Sequence, residues 1–383
     1  VSLFLKFPSL LEVEKQSKAT TNKKYIKGRK DMSWEIKEHT KAKHTILKNY
    51  LGAWFPIMAF SNPKIIYIDG FAGPGRYLNG EDGSPIYALK IAKEIFERFY
   101  QRLKDKTFVF VFIEADTEHY ESLMNEIKCL DIPEQFKILS VNKSFEDSMK
   151  EIFSVLDDAN ANLAPSFAFI DPFGTKGIPF EIVKKIMSYP KCEVFINHMV
   201  SGVTRSQYVS DHSSLYGSTQ WINYVDKPGG LTYFYSEQLK NEANVLYTRS
   251  FEVRNRKNAP IFDLIYATNN LKGLEKMKEA MWKADPSGNF VFRDKTNPNQ
   301  LVLFELEPDL TPLKNQLLRN FAGKTASIEE IERYVLIETP FLKSHIRQKT
   351  LAPLEKRGVI RVSRPNGSRK GFIEGTKILF PAL

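Results

Sequence analysis

Tyr67-Ile68-Asp69-Gly70-Phe71-Ala72-Gly73-Pro74-Gly75-Arg76 is the stretch on which the reading of this chain turns. It continues an apolar run, Ile65-Ile66-Tyr67-Ile68, whose length and β-branched content read as a buried strand. The run ends in an acid and then in three glycines within six residues. Glycine adopts positive φ and lets backbone approach a ligand closely. A strand that ends this way places a nucleotide-type cofactor at the carboxyl end of a parallel sheet. No Gly-Lys-Ser/Thr follows, which excludes an ATPase phosphate loop. A dinucleotide fold needs Gly-x-Gly-x-x-Gly opening directly into a helix, whereas Gly75 leads into Arg76-Tyr77 and a loop.

Outward from this turn, strand and helix alternate. Strands are expected at 64–69, 107–114, 137–141, 167–171 and 193–197, with helices at 84–104, 117–128, 144–156 and 179–188 between them. The run Thr107-Phe108-Val109-Phe110-Val111-Phe112-Ile113 is almost wholly apolar, as strands buried on both faces are. This is the pattern of a Rossmann-like, doubly wound parallel α/β sheet. A helix over 41–55, ending at Pro56, precedes it, with Lys43 and His44 near its start. Residues 199–260 break the rhythm with Ser, Tyr, Asn and Gly229-Gly230, and read as a substrate-side insertion holding a helix at 236–248. A strand at 262–267, a helix at 271–282 and a last strand at 300–306 complete the domain, taken as 33–308.

Residues 311–383 read as a separate winged helix-turn-helix: helices at 312–321, 327–337 and 341–357, the last stopped by Gly358. A hairpin follows, with Asn366-Gly367 at its turn. Residues 1–32 form a basic arm. The net charge of +10 is uneven. Residues 1–48 carry +7 and residues 311–383 carry +8, around a body of −5. Basic ends of this kind fit a nucleic-acid partner, DNA or RNA. Lys343, Arg347 and Lys349 on the third tail helix, with Arg364, Arg369 and Lys370 around the wing, are the expected phosphate contacts.

The two cysteines, Cys129 and Cys192, stand at no metal or redox spacing, which fits a reducing cytoplasmic setting and no structural metal. No run approaches the ~20 apolar residues of a membrane span.

Three further positions carry the chemistry. Glu114 ends the second strand, where an acid can take the hydroxyls of a ribose; Asp116 is its competitor. Asn142, after the third strand, stands where methyltransferases place a residue near the adenine, and Ser144 or Phe145 could serve as well. Ile170-Asp171-Pro172-Phe173-Gly174 ends the fourth strand and resembles the Asp/Asn-Pro-Pro-aromatic motif of methyltransferases acting on exocyclic base amines. Asp171 and the Pro172 carbonyl would accept the hydrogens of the amine and Phe173 would stack on the base. Phe173 stands where that motif has its second proline, so the aromatic is displaced by one. Asn197-His198 ends the fifth strand, with His198 a candidate base.

The spacing Asp-x-Phe-x-Gly-x-Gly at Asp69 to Gly75 resembles the first motif of class I S-adenosylmethionine methyltransferases, and together these motifs resemble the three-cysteine-motif partner family. The likeness lies in Lys43-His44, Tyr50-Leu51 and Trp54-Phe55, in Asp69 to Gly75, in Gly83-Ser84-Pro85, in Phe169 to Gly174 and in the winged tail. It implies a methyltransferase-like sheet whose cofactor, S-adenosylmethionine, lies on Asp69, Gly70, Phe71, Ala72, Gly73, Gly75, Glu114 and Asn142. It also implies a partner protein bearing a three-cysteine motif, akin to radical S-adenosylmethionine proteins, in a bacterial defence setting. The function expected is methyl transfer to a base of nucleic acid, the alternative being a non-catalytic scaffold for such a partner.

Overall fold

The structure, a computed structural model, describes residues 38–77, 79–172, 174, 178–255, 257–285, 291–293, 308–365 and 371–382. The basic arm at 1–32, the expected strand at 300–306, and Phe173, Arg369 and Lys370 lie outside the described residues.

The chain runs α1 (Glu38–Ser61), β1 (Lys64–Asp69), α2 (Ser84–Arg98), α3 (Tyr100–Leu103), β2 (Thr107–Ile113), α4 (Thr117–Lys128), β3 (Phe136–Val141), α5 (Phe145–Asp158), β4 (Ser166–Ile170), α6 (Phe180–Ser188) and β5 (Cys192–His198). The insertion holds α7 (Val200–Ser206), α8 (Ser213–Tyr216), a 3-10 turn (Thr219–Tyr224) and α9 (Gly230–Glu242). Then come β6 (Tyr247–Arg254), β7 (Pro260–Thr268), α10 (Leu271–Ala284) and β8 (Val291–Arg293). The sheet order is β3-β2-β1-β4-β5-β7-β6-β8. β1 to β5 are parallel, while β7 is antiparallel to both β5 and β6. The fold is thus the Rossmann-like mixed sheet of order 3-2-1-4-5-7-6 typical of methyltransferases, followed by a winged helix-turn-helix domain.

Four expectations change. The sheet is mixed rather than all parallel. Residues 247–254 are a strand, and the helix expected at 236–248 sits earlier, at Gly230–Glu242. Tyr247-Thr-Arg-Ser-Phe-Glu-Val-Arg is polar enough to read as loop. Only Phe251 and Val253 of this strand are buried, and both join the core beside β7. The helix expected at 84–104 breaks at Phe99 into α2 and α3. The leading helix runs on through Pro56 to Ser61.

Strand alternation sorts the core into two chemically different halves. Phe108, Phe110 and Phe112 of β2 face one side with Tyr67, Phe167, Phe169 and Phe195, under α1, α2 and α10. Val109, Val111 and Ile113 face the other with Ile68, Ala168, Ile170 and Val194, under α5, α6 and the insertion. Period-two geometry puts successive side chains on opposite faces. Alternating Phe and Val therefore builds an aromatic layer against α1 and an aliphatic layer against α5 and α6.

α1 is held on the aromatic face by a buried network. The Tyr50 hydroxyl donates to Glu193 Oε2 at 2.5 Å and lies 2.6 Å from the Tyr266 hydroxyl, and the Thr268 hydroxyl donates to Glu193 Oε1 at 2.7 Å. Glu193 starts β5 and Asn197 lies near its end, on the same face. Lys43 precedes Tyr50 by seven residues, about two helical turns. Docking Tyr50 on Glu193 therefore carries Lys43 to the carboxyl edge of the sheet.

The tail forms α11 (Thr311–Asn320), β9 (Thr325–Ser327), α12 (Ile328–Glu338), a third helical segment at 343–356, β10 (Arg361–Ser363) and β11 (Lys377–Leu379). Its sheet is antiparallel, in the order β10-β11-β9. Ser327 and Glu330 close a capping box at the start of α12. The third helix, expected as one run over 341–357, is irregular: 3-10 at Lys343–His345, π at Arg347–Leu351, and only α13 (Ala352–Lys356) regular. Pro353, which has no N–H to donate, follows the π turn.

This module docks on the sheet domain through donors aimed at the end of α12. Lys278 Nζ, on α10 and fully buried, donates to the carbonyls of Val335, Leu336 and Thr339 at 3.0, 3.0 and 2.8 Å. Arg249 Nη2 donates to the Ile337 carbonyl at 2.6 Å, and Trp282 Nε1 to the Pro340 carbonyl at 2.7 Å. The last carbonyls of a helix lack intrahelical partners and carry its negative pole, so cationic donors belong there.

Candidate functional site

The strand order reverses between β1 and β4. β2 and β3 lie to one side of β1, and β4 and β5 to the other. Such a reversal opens a crevice outside the carboxyl ends of the two strands, where ligands of α/β sheets bind. The Asp69–Gly75 turn and Asp171 flank this crevice because they end β1 and β4.

On the β1 side, Gly73 and Gly75 adopt φ of +65° and +85°. A Cβ on Gly73 would meet nothing within 4 Å, whereas one on Gly70 would strike the Phe145 ring at 2.7 Å. Gly70 is thus required by packing and Gly73 by backbone conformation, with open space over it. The Gly83 N–H donates to the Gly75 carbonyl at 2.7 Å and ties the turn to the start of α2. Ala72 is buried and its N–H donates to the Ile113 carbonyl at 2.9 Å; Phe71 packs on Phe145 with ring centroids 5.6 Å apart.

Asp69 is fully buried. The Tyr67 hydroxyl donates to its Oδ2 at 3.2 Å, while Oδ1 has no hydrogen-bond partner. Burial pushes its pKa up to about 7, with the nearby Asp171 charge adding to the rise and hydrogen bonds from Ser84, Tyr67 and the Phe71 N–H opposing it.

Glu114 is buried and turned inward. It accepts from the Gly73 N–H at 2.7 Å and from the Asp116 N–H at 2.8 Å. It holds the glycine turn in place, and each oxygen retains a further lone pair for a ligand. Asp116, its competitor, is the N-cap of α4 and accepts from the His119 N–H at 2.9 Å. Asn142 donates to the Glu114 and Ala115 carbonyls at 2.9 and 3.2 Å and accepts from the Thr117 hydroxyl at 3.0 Å. The residues expected to touch ribose and adenine therefore also lash the β1, β2 and β3 loops to one another.

Asp171 does not stand alone. Lys43 Nζ donates to its Oδ2 and forms an ion pair with it, and Asn197 Nδ2 donates to its Oδ1 at 2.7 Å. The side chains of Lys43 and Asp171 are 8% and 18% exposed, so the opening is at the carboxylate. Pro172 is buried beside it. Lys43 lies 128 residues from Asp171 in sequence. Its signals in the sequence were its place near the start of the leading helix and the family likeness of Lys43-His44, and neither pointed to Asp171. Asn197 was legible as a strand-end polar residue, but not as a partner of Asp171. His44 packs against Tyr77 and Tyr87, and burial beside Lys43 and Lys48 lowers its pKa to about 3.

His198 points to the opposite face. Its Nε2 lies 2.8 Å from the Tyr216 hydroxyl, its ring stacks on Tyr235 at 5.1 Å, and burial lowers its pKa to about 3. It belongs to the insertion's own core, with Tyr216, Trp221 and Phe234, and is held neutral there. A cavity of about 430 Å³ lies on this second face, between α7, the start of α9 and Asp263, away from the glycine turn.

In the winged domain, Lys343 and Arg347 share Glu332, at 3.7 and 2.6 Å. Arg364 is engaged by Glu355 at 2.6 Å and the Gly371 carbonyl at 2.7 Å. Lys349 is exposed and has no ion pair among the described residues. His345 packs over Trp282 at 4.5 Å, inside the interdomain contact. The expected basic face is thus partly neutralised within the module. Among the described residues no cluster of three His, Cys, Asp or Glu side chains could hold a metal, and no helix is long and apolar enough to cross a membrane.

Comparison with known proteins adds the following. A family model described as a GMT-like wHTH domain matches residues 291–367. Its match begins in β8, which pairs with β6 of the large sheet. Among solved structures, the O-methyltransferase TomG from Streptomyces achromogenes, in complex with SAM, is 14% identical with a TM-score of 0.35, covering 62% of this chain and 91% of that one. Human methyltransferase-like protein 13, in complex with SAH, is 12% identical with a TM-score of 0.33, covering 64% and 91%. A putative O-methyltransferase from Klebsiella pneumoniae is 10% identical with a TM-score of 0.33, covering 60% and 90%. No curated protein matches the chain.

Proposed function

We propose that this protein is an S-adenosylmethionine-dependent methyltransferase that modifies an exocyclic amino nitrogen of a nucleic-acid base. The observation that carries the reading is the glycine turn at the β1/β4 reversal. Its backbone is bare over Gly73, and beneath it lies a buried acid with one unpartnered oxygen. Those features fit the cofactor: open space along Gly73 for its methionine end, Asp69 Oδ1 as acceptor for a donor group, and Glu114 and Asn142 beside the ribose and adenine. When bound, the cofactor supplies an electrophilic methyl group. The chain's own work is positioning. The turn fixes one reactant and the β4–β5 edge fixes the other.

The basic residues of the winged domain supply affinity through phosphates, Lys349, unpaired among the described residues, foremost. A base inside a duplex would have to be flipped to reach the crevice. Partnership with a three-cysteine-motif protein, implied by the motifs, is compatible with this arrangement. A non-catalytic scaffold is the second reading. The observation in its favour is that each oxygen of Asp171 already accepts a hydrogen bond, from Lys43 and from Asn197.

Calorimetric titration with S-adenosylmethionine separates the two. Micromolar binding that Asp69→Ala abolishes supports the enzyme, and its absence in the wild type rejects it. Transfer of a tritiated methyl group to DNA, RNA and protein pools then identifies the acceptor. Label confined to protein overturns the amino-base assignment.

A further inference from the structure

The hydrogen bonds around Asp171 single out an acceptor that no motif marks. A carboxylate paired with a lysine accepts hydrogen bonds and cannot donate them. The Asn197 amide, 2.7 Å from Asp171 Oδ1, must therefore present its NH2 group to that oxygen. The opposite amide orientation would set two acceptors against each other. This fixes the other end of the side chain. Asn197 Oδ1 faces away from Asp171, in a residue only 5% exposed, and has no hydrogen-bond partner. A buried carbonyl left this way is destabilising, and most such groups in native proteins have a partner.

The sheet register shows where this acceptor lies. Asp69 is level with Phe169 and Phe195, so Asn197 stands two residues further along and two strands across, on the same face. That separation is roughly 12 Å between backbones from strand spacing and rise. One unpartnered acceptor, Asp69 Oδ1, thus lies under the glycine turn. The second lies on the far side of Asp171, and a single small donor group does not satisfy both.

We infer that Asn197 Oδ1 receives the N–H of the accepting amine, and that Lys43 and Asp171 are the positioning pair that holds the amide in this orientation. The identity of the amine as a base amino group rests on the methyl-transfer reading; the acceptor itself does not. Asp171, which the Asp-Pro-Phe-Gly motif would make the direct contact, orients the group that makes it.

The test uses the full chain, with and without S-adenosylmethionine, titrated calorimetrically with adenosine and cytidine and with purine riboside, which lacks the exocyclic amine. Adenosine and cytidine are expected to bind at least tenfold more tightly than purine riboside. Asn197→Leu is expected to erase that difference while leaving S-adenosylmethionine affinity within twofold. Lys43→Met, which frees the amide to turn, is expected to weaken the preference severalfold. If Asn197→Leu does not melt cooperatively, Asn197→Ser, which keeps a donor toward Asp171, takes its place. Equal binding of all three nucleosides, no binding of any at 10 mM, or a preference that survives at Asn197 would each overturn the inference. Failure of S-adenosylmethionine to bind, with the amine preference intact, would reject the methyl-donor reading and leave this one standing.

Discussion

Two buried polar clusters in this molecule differ in one respect, and the difference separates structure from site. At the interdomain contact, Lys278 is fully buried and meets three carbonyls, and Arg249 and Trp282 serve two more, so these acceptors are all met and the one orphan is a donor, the Arg249 Nε. At the strand edge, Asp69, Asp171, Lys43 and Asn197 are also mostly buried, yet two of their acceptor oxygens, Asp69 Oδ1 and Asn197 Oδ1, have no hydrogen-bond partner. A satisfied network contributes rigidity, whereas an unsatisfied one spends stability that a ligand can return. The same density of charge therefore reads as a hinge pin in one place and as a binding site in the other.

The comparison is sharpest under mutation. Lys278→Met strips the Leu336 and Thr339 carbonyls of their side-chain donor and leaves Val335 only the Thr339 hydroxyl, and the loss is expected to be roughly 3 kcal/mol. Chemical denaturation should show it, with S-adenosylmethionine affinity unchanged. A fall in that affinity matching the fall in stability would mean the two clusters are not independent.

Asp69→Asn is expected to act in the opposite sense, raising stability by about 2 kcal/mol near pH 8, because a fully buried carboxylate near the Asp171 charge is relieved of its own charge. Cofactor affinity should drop at least tenfold in the same variant. A variant that is both less stable and weaker in binding would show that Asp69 is a structural residue.

The pH dependence follows from the same group. Its carboxyl titrates near pH 7 when folded, against the ordinary aspartate value of 3.8 that an unfolded chain retains. Between those values the folded state holds the extra proton, so this group's contribution to stability falls as pH rises from about 4 to 7 and is flat above. The wild type minus Asp69→Asn difference in denaturation free energy should trace that window, and a difference independent of pH would rule out the buried acid as its source.

The smallest effects belong to the exposed face of the winged domain. Lys349→Ala should weaken nucleic-acid binding a few fold and lower the salt slope by about one. Arg347→Ala should do less, since Glu332 already engages it. Equal losses at both positions would mean that Glu332 releases Arg347 on binding.

Much of this was readable along the chain and some was not. The alternation of apolar runs with helices marked the first five strands within a residue or two, because burial on both faces leaves a continuous local signature. The polar strand Tyr247–Arg254 left none, since half its residues face solvent or the insertion. The third helix of the winged tail read as regular because periodicity does not register a π turn. Glu114 and Asn142 were found as candidates, but their second role of lashing three loops together depends on neighbours tens of residues away. His198 stood beside Asn197 at a strand end as a lesser candidate, and strand alternation sends it to the opposite face.

The amino-acid sequence by itself determined the glycine turn after β1, the acid that precedes it, the Asp-Pro-Phe-Gly at the end of β4 and the basic winged tail. Each is a short-range pattern whose physics, backbone freedom or hydrophobic period, is contained within a few residues. The tertiary structure alone decided that the sheet reverses between β1 and β4, bringing those two turns to one crevice. It also decided that Lys43 reaches Asp171 across 128 residues, that Asn197 turns its carbonyl away, and that Lys278 is the pin of the winged domain. These depend on which strands become neighbours and on where α1 docks, which the packing of the aromatic layer settles and no local window contains.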